Sequence, residues 1–251
     1  MEQKNSLSII MPVYNEGKTL SRALERVYSY EIPTVKRELI IVESNSTDGS
    51  RQIVKDFVKD KPEIIVIFED QPAGKGHAVR AGLAKAKGDI ILIQDADLEY
   101  EVSDYPRLLQ PIIDGKTKFV LGSRHLDHSG KYKWDIRRFK EKRKAFFMNL
   151  AGLGFHAFFN LVYQTNLSDP TTMYKVFKRE CLENIHLKNN YFDLDWELVG
   201  KLILAGYKPI EIPVHYRPRG FSEGKKVNIR RDAPRYVKAI LETRFTAKDR
   251  L

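Results

Sequence analysis

Asp95-Ala96-Asp97 closes an apolar run at residues 90–94, and Glu99 follows two residues later. Two carboxylates separated by one residue at a backbone turn can gather on one divalent ion. Hard oxygen ligands suit Mg²⁺ or Mn²⁺, and such an ion can clamp a diphosphate. A solvated turn would use the same residues, so the place of this triplet in the fold decides its meaning. Asp48-Gly49-Ser50 precedes a helical pattern, where Asp48 reads equally as an N-cap or a ligand. Lys75-Gly76-His77 opens another helix, so Lys75 and the first N–H groups could face phosphate. Glu43 ends a second apolar run, placed to accept from a ribose or a base edge. Asp195, in Asp193-Leu194-Asp195-Trp196-Glu197, is the candidate general base should a hydroxyl be activated. The same acids also suit the first turn of a helix. Asp169, before Pro170, reads as a turn residue or a loop positioner.

These residues need elements to hold them. Apolar runs at residues 7–13, 39–42, 64–68, 90–94 and 119–121 read as strands. Between them lie helical periodicities carried by Leu20, Ala23, Leu24 and Val27, by Ile53, Val54 and Phe57, by Val79, Leu83 and Ala86, and by Leu108, Leu109 and Ile112. Near-continuous apolar strands alternating with amphipathic helices predict an α/β fold with a mostly parallel sheet covered on both faces. Ligands bind beyond the carboxyl ends of such strands. The polar residues found there are Tyr14-Asn15-Glu16, Glu43-Ser44-Asn45-Ser46, Asp95-Ala96-Asp97 and Ser123-Arg124.

The pattern changes near residue 125. Residues 131–144 hold eight basic side chains against Asp135 and Glu141, a net +6 out of the chain's +10. A Phe- and Leu-rich helix follows over 145–163, then a strand over 208–216 and a basic amphipathic helix over 233–245. Phe146, Phe147, Phe155, Phe158 and Phe159 either enter a membrane interface, cradle an apolar ligand, or pack on the sheet as core.

With 251 residues, 42% hydrophobic and 30% charged, the chain is neither disordered, fibrous nor polytopic in a membrane. Its single cysteine, Cys181, excludes an intramolecular disulfide framework. The charge favours an anionic partner: nucleic acid, a phosphate-bearing ligand or an anionic membrane surface. A nucleic-acid binder would explain the charge but neither the Asp-x-Asp triplet nor the strand-end polar residues, so no nucleic-acid partner is expected. Residues 7–13 are too short for a signal h-region, and no run of eighteen uninterrupted apolar residues occurs. The expectation is a cytoplasmic protein, peripheral on the inner face of the membrane.

The motifs, taken in order, resemble a known family. They run Met11-Pro12-Val13-Tyr14-Asn15-Glu16, Val42-Glu43-Ser44-Asn45-Ser46-Thr47-Asp48-Gly49-Ser50, Lys75-Gly76 with Gly88-Asp89, Gln94-Asp95-Ala96-Asp97-Leu98-Glu99 and Gly122-Ser123-Arg124. This order is similar to that of family 2 glycosyltransferases with the GT-A nucleotide-sugar fold. Asp169-Pro170-Thr171-Thr172-Met173-Tyr174 and Glu223-Gly224-Lys225-Lys226 resemble the polyprenyl-phosphate branch, which includes dolichyl-phosphate mannose and glucose synthases. The resemblance spans roughly residues 6–230.

It implies one GT-A domain over 1–230, with a nucleotide-sugar half at 1–124 and an acceptor half at 125–230; the residue pattern adds a basic amphipathic C-terminal helix at 231–251. It implies a metal-dependent inverting transfer of mannose or glucose from a GDP- or UDP-linked donor to a polyprenyl phosphate. Pro12, Tyr14 and Glu16 would line the nucleotide pocket, with Val42, Glu43 and Ser44 at the base and ribose. Asp95 and Ala96 would face the nucleoside and sugar; Asp97 and Glu99, with Asp95 nearby, would hold Mg²⁺ or Mn²⁺. Lys75, Arg124, Arg219 and Lys225 would meet phosphates, and Asp97, Arg124 and Asp195 form the catalytic set. The alternative keeps the donor chemistry but uses a saccharide hydroxyl, with Asp195 as base. The chain departs from the family at Glu43-Ser44, often two aspartates, which leaves guanine or uracil open. It departs again at Glu99, often Gln, which adds negative charge beside the metal.

Overall fold

The computed structural model describes residues 5–134, 142–220 and 228–246. Among these, seven strands form one sheet: β1 (Ser6–Val13), β2 (Lys36–Glu43), β3 (Ile65–Phe68), β4 (Ile90–Ile93), β5 (Phe119–Ser123), β6 (Lys175–Lys178) and β7 (Ile210–Pro213). Their spatial order is β3-β2-β1-β4-β6-β5-β7. Every pairing is parallel except those of β6, which runs against both β4 and β5. The helices are α1 (Leu20–Ser29), α2 (Ser50–Val58), α3 (Lys75–Leu83), α4 (Tyr105–Ile113), α5 (Lys142–Tyr163), α6 (Leu194–Leu204) and α7 (Ile229–Phe245).

Consecutive residues Ile90, Ile91, Leu92 and Ile93 are all buried. Successive strand side chains point to opposite faces, so both faces of the sheet are covered, as the apolar runs predict. Helix α1 buries Leu20, Ala23, Leu24 and Val27, the helical spacing read from the sequence.

The sheet departs from expectation at β6. Tyr174-Lys175-Val176-Phe177 carries a lysine where an apolar residue would advertise a buried strand, and that lysine is fully buried. The strand therefore hid behind its charge. Because β6 is antiparallel, its amino end lies beside the carboxyl ends of β4 and β5. Residues 169–173 are thus delivered to the edge where ligands bind. The expected strand at 208–216 shortens to β7, and Tyr216 then bridges Tyr100. Helix α6 extends well beyond the acidic first turn read from the sequence.

Helix α5 splits its phenylalanines. Phe159 is core, Phe155 and Phe158 are half-buried, and Phe146 and Phe147 are 50% and 63% exposed. Contrary to the sequence expectation, α5 is long and apolar enough to cross a membrane by length and composition. Asn149, Gly152, Gly154, His156 and Asn160 interrupt the apolar run without lowering its average below that of a span.

Candidate functional site

The loops after β1 and β2 are tied together by the second motif. Asn15 N donates to Ser46 Oγ at 2.9 Å, Thr47 N to Asn15 Oδ1 at 2.8 Å, and Glu16 N to Ser50 Oγ at 2.9 Å. Asp48 accepts from Gly17 N at 2.8 Å through one oxygen and from Ser50 Oγ at 2.6 Å through the other. Burial opposes ionisation of Asp48, but these hydrogen bonds outweigh it and lower its pKa. Asp48 is therefore a loop clamp, and its work is to hold Glu16. Asn15, Asn45 and Leu98 all adopt left-handed φ angles, of 50°, 53° and 61°. Each follows a strand that feeds the site, and such outliers concentrate where the surroundings hold a functional loop. At Leu98 the turn is closed by Asp97 Oδ1, which accepts from Glu99 N at 3.0 Å.

An acidic cluster forms at the carboxyl ends of β1 and β4. Arg219 Nη1 reaches Glu16 Oε2 at 2.7 Å and Arg219 Nη2 reaches Asp97 Oδ2 at 2.8 Å. Glu99 accepts from Arg219 N at 2.7 Å and from the Tyr216 hydroxyl at 2.9 Å. Burial, with the charges of Asp95 and Glu99, pushes the Asp97 carboxyl up to about 7, although Arg219 opposes the shift. The next basic group is Lys75, whose Nζ sits 2.6 Å from Asp95 Oδ1. Burial alone would lower its pKa, yet Asp95, Asp195 and Asp97 raise it, so it stays charged.

The donor set fits a hard divalent ion. When ionised, Glu16, Asp95, Asp97 and Glu99 face two cations, Lys75 and Arg219, and two negative charges remain. Among the described residues, the one group with three ligating atoms within 4.8 Å of each other lies elsewhere: His125, His156 and Asp169. In that group both Asp169 oxygens are held by Arg124. Arg124 Nε and Nη2 each bond Asp169 at 2.7 Å, and Arg124 Nη2 also donates to Thr171 Oγ1 at 3.1 Å. The guanidinium lies over the Tyr216 ring at 5.3 Å.

Asp195, on the first turn of α6, holds Lys175 Nζ at 2.8 Å. The Lys175 ammonium also donates to the Thr172 carbonyl. Burial, with Lys75 and Arg124 nearby, lowers the Lys175 pKa against the pull of Asp195.

One cavity of about 610 Å³ collects most of the expected residues: Pro12, Tyr14, Glu16, Ser44, Lys75, Asp95, Ala96, Asp97, Glu99, Arg124, Asp195 and Arg219. Val42 and Glu43 are not on its wall. Val42 is buried in the sheet opposite Pro12, and Glu43 turns back to accept from Ser46 N at 2.7 Å beside Arg51. Lys225 lies outside the described residues, as does the rest of Glu223-Gly224-Lys225-Lys226. Lys75-Gly76 has a packing reason: a Cβ on Gly76 would lie 2.6 Å from the Asn189 carbonyl oxygen. The cavity also takes in Thr171 and Met173, from the quoted Asp169–Tyr174 motif, and Tyr191, Phe192 and Tyr216, which the sequence reading did not single out. Lys175, directly after the Asp169–Tyr174 motif, is buried in the fold and so needs a partner, a signal that the sequence alone does not carry.

A family model described as glycosyl transferase family 2 matches residues 8–185. A dolichyl-phosphate beta-glucosyltransferase of Trichomonas vaginalis, ALG5C, is 27% identical over 237 residues, covering 87% of this chain and 66% of that protein. Glycosyltransferase AglD of Haloferax volcanii is 24% identical over 243 residues, covering 94% of this chain and 36% of that protein. The chain thus spans just under two thirds of the first relative and about a third of the second. Two solved structures share the fold. Glucosyl-3-phosphoglycerate synthase from Mycobacterium tuberculosis, in complex with Mn²⁺, UDP-glucose and phosphoglyceric acid, gives a TM-score of 0.66 at 16% identity, covering 95% of this chain and 79% of that one. Mannosyl-3-phosphoglycerate synthase from Rubrobacter xylanophilus gives 0.64 at 17%, covering 95% and 72%. The match to the family model runs from β1 through β6 and so takes in the acidic cluster, Lys75, Arg124 and the motif around Lys175; on a GT-A fold, the chain belongs to glycosyl transferase family 2.

Proposed function

We propose that the protein transfers a hexose, mannose or glucose, from a nucleoside-diphosphate sugar to a polyprenyl phosphate, inverting the anomeric carbon. The carrying observation is the continuity of the cavity. Its polar end holds Glu16, Asp95, Asp97 and Lys75, while its other wall is Met148, Ala151, Gly152 and Phe155 of α5 with Tyr236 of α7. Arg124 lines the same cavity, which offers groups that suit a diphosphate and groups that suit an apolar tail. Relatives named as dolichyl-phosphate beta-glucosyltransferases support the lipid-phosphate acceptor. Solved neighbours that carry UDP with Mg²⁺ or Mn²⁺ support the donor class, with GDP and UDP both to be tried.

The nucleoside diphosphate leaves with growing negative charge. A divalent ion, Mg²⁺ or Mn²⁺, held by Asp97 with Asp95 and Glu99 nearby, would supply Lewis-acid stabilisation of that charge. Lys75 is fixed on Asp95 at the same edge and adds a positioned cation. Arg124, oriented by Asp169, presents a planar donor suited to the acceptor phosphate. A lipid phosphate is already anionic near neutral pH and needs no strong base. The engagement of Asp195 with Lys175 supports this acceptor over a hydroxyl, for which Asp195 would have to take a proton.

We read the protein as peripheral on the inner face of an anionic membrane. Lys142, Arg143 and Lys144 open α5 beside exposed Phe146, Phe147 and Leu150, and α7 exposes Val237, Lys238, Leu241 and Phe245. The test is a transfer assay. Radiolabelled UDP-glucose and GDP-mannose are each incubated with dolichyl or undecaprenyl phosphate in detergent, with Mg²⁺ or Mn²⁺. Label in the lipid extract supports the reading. Label only in added saccharides, abolished by Asp195→Asn, would replace it with the hydroxyl-acceptor reading.

A further inference from the structure

The arginine at the centre of the acidic cluster has a geometry that the donor-binding role alone does not explain. Arg219 reaches Glu16 through both terminal nitrogens, at 2.7 and 3.3 Å, and Asp97 through Nη2 at 2.8 Å, with Nε 3.6 Å from Glu99 Oε1. These are carboxylates that would also hold the divalent ion. An ion needs oxygen lone pairs at about 2.0–2.6 Å. The guanidinium already lies on the Asp97 oxygen that faces Glu16. Two cations sharing that oxygen would repel each other in a site where Asp97 is only 8% exposed.

Glu99 fixes the arginine in place. Its two carboxylate oxygens accept from Arg219 N and the Tyr216 hydroxyl, and its carbonyl accepts from Arg217 N at 2.8 Å. Three bonds from one residue dock the segment 216–219 onto the turn after β4. An amide could keep both contacts, because the Tyr216 hydroxyl can accept as well as donate. What Glu99 adds over Gln is its negative charge, with Oε1 3.6 Å from Arg219 Nε.

We propose that Arg219 is the resident counter-ion of the donor-site carboxylates, displaced by the divalent ion when donor binds, and that Glu99 is the positioning residue that docks it. Before the ion arrives, the guanidinium offsets one of the four acidic charges and holds Glu16 and Asp97 together. When ion and diphosphate arrive together, the diphosphate supplies a new anionic partner for the released arginine. The exchange therefore makes metal binding weak without nucleotide and strong with it. The inference rests on the reading of this site as a metal-assisted nucleotide-sugar site.

The test measures Mn²⁺ binding by electron paramagnetic resonance of the free ion, on the full chain, with and without UDP or GDP. Wild type is expected to bind Mn²⁺ at least tenfold more weakly alone than with the preferred diphosphate. Arg219→Gln is expected to bind Mn²⁺ alone at least tenfold more tightly than wild type, and to lose most of the gain from the diphosphate. Glu99→Gln, which leaves Arg219 in the chain, is expected to move the same way by a smaller factor. A second measurement needs no variant to fold: in ¹⁵N-arginine-labelled wild type, Mg²⁺ with the diphosphate should shift an Nε–H resonance that Mg²⁺ alone leaves in place. Equal Mn²⁺ affinity in wild type and Arg219→Gln, with nucleotide still enhancing wild-type binding, would overturn the exchange and leave the donor site standing. No Mn²⁺ binding by any of the proteins, with or without either nucleotide, would remove the site reading itself.

Discussion

Arg124 and Asp169, 45 residues apart, meet in a double hydrogen bond, Nε to Oδ2 and Nη2 to Oδ1, both 2.7 Å long. Asp169 Oδ2 also accepts from the Arg124 backbone N at 3.0 Å, so one carboxylate fixes both the main chain after β5 and the side chain that leaves it. Asp169 is wholly buried and the Arg124 side chain is 9% exposed. The pair joins the end of a parallel strand to the loop that leads into the antiparallel one. It is the point where the inserted β6 is locked to the site.

Asp169→Asn should therefore damage both stability and acceptor use. Removing one partner of a buried ion pair strands the other, at a cost of about 3–5 kcal/mol. Burial alone would raise the Asp169 pKa, but Arg124 outweighs it, with help from His156 and His125, and holds the carboxyl far below its ordinary value. A depressed folded pKa contributes stability that is present above the unfolded value, near 3.9, and is lost as pH falls towards the folded one. Urea midpoints should thus fall with pH below about 4 in wild type, and fall less steeply in the variant. An identical pH dependence in both proteins would mean that Asp169 carries no such linkage.

The sheet and the donor-side loops were legible because their side chains repeat the period of the backbone that carries them. Ile90–Ile93 and the α1 residues Leu20, Ala23, Leu24 and Val27 announce strand and helix directly. The Asp-x-Asp triplet was legible because its carboxylates are adjacent in the chain. What stayed hidden depends on partners distant in sequence. Lys175 masks a strand as a surface segment until Asp195 is seen beside it, and Tyr216 gains its role only by folding back onto Glu99. Glu43 misled for the opposite reason: it ends a strand at the expected level, but its carboxylate closes its own loop instead of facing the cavity.

Asp97→Asn should separate function from stability. Burial and the neighbouring Asp95 and Glu99 disfavour the charge on Asp97. Relieving it should raise the melting temperature of the metal-free protein by about 2–4 °C, as expected for roughly 1 kcal/mol in a chain of this size. The same substitution should abolish the further stabilisation that UDP or GDP gives in the presence of Mn²⁺. Differential scanning fluorimetry reads both effects. A variant that keeps the full Mn²⁺- and nucleotide-dependent shift would remove Asp97 from the donor site.

Gly76→Ala should act on Lys75 through packing. The new methyl would meet the Asn189 carbonyl oxygen at 2.6 Å and Leu194 Cβ at 2.9 Å, so helix α3 and the 189–190 loop would have to part. That loop is itself held by Glu197, which accepts from Asn189 N at 2.9 Å. Overpacking of this kind costs about 1–3 kcal/mol. The expected result is a lower urea midpoint and weaker donor binding. The open position at Gly154 inside α5, where a Cβ meets nothing, supplies the control: Gly154→Ala should leave donor binding unchanged and raise the urea midpoint slightly through helix propensity.

Cys181 should be inert in the folded protein. It is 2% exposed, and burial pushes its thiol up to about 11. The thiolate is the reactive form, so at pH 8 reaction with Ellman's reagent should be slow until denaturant is added. Rapid titration of the native protein would show that the segment Arg179–Leu182 opens readily.

The apolar face of α5 and α7 should bind anionic membranes through a few identifiable rings. Phe147 and Phe245 are 63% and 64% exposed, and Leu161 is 78% exposed. Exposed aromatic side chains beside Lys142, Arg143 and Lys144 combine apolar insertion with attraction to acidic headgroups. Each basic residue near such a surface is worth about 1 kcal/mol. Replacing Lys142, Arg143 and Lys144 with Gln should thus weaken sedimentation with phosphatidylglycerol vesicles by about a hundredfold or more, while neutral vesicles show little change. Phe146→Ser with Phe147→Ser should weaken binding to both vesicle types, because it removes the inserted surface and leaves the charge. None of these side chains lines the donor end of the cavity, so nucleotide-dependent stabilisation should persist in every variant. Full vesicle binding by both sets of variants would show that this face does not meet the membrane, and would shift the entry of the lipid tail to another wall of the cavity.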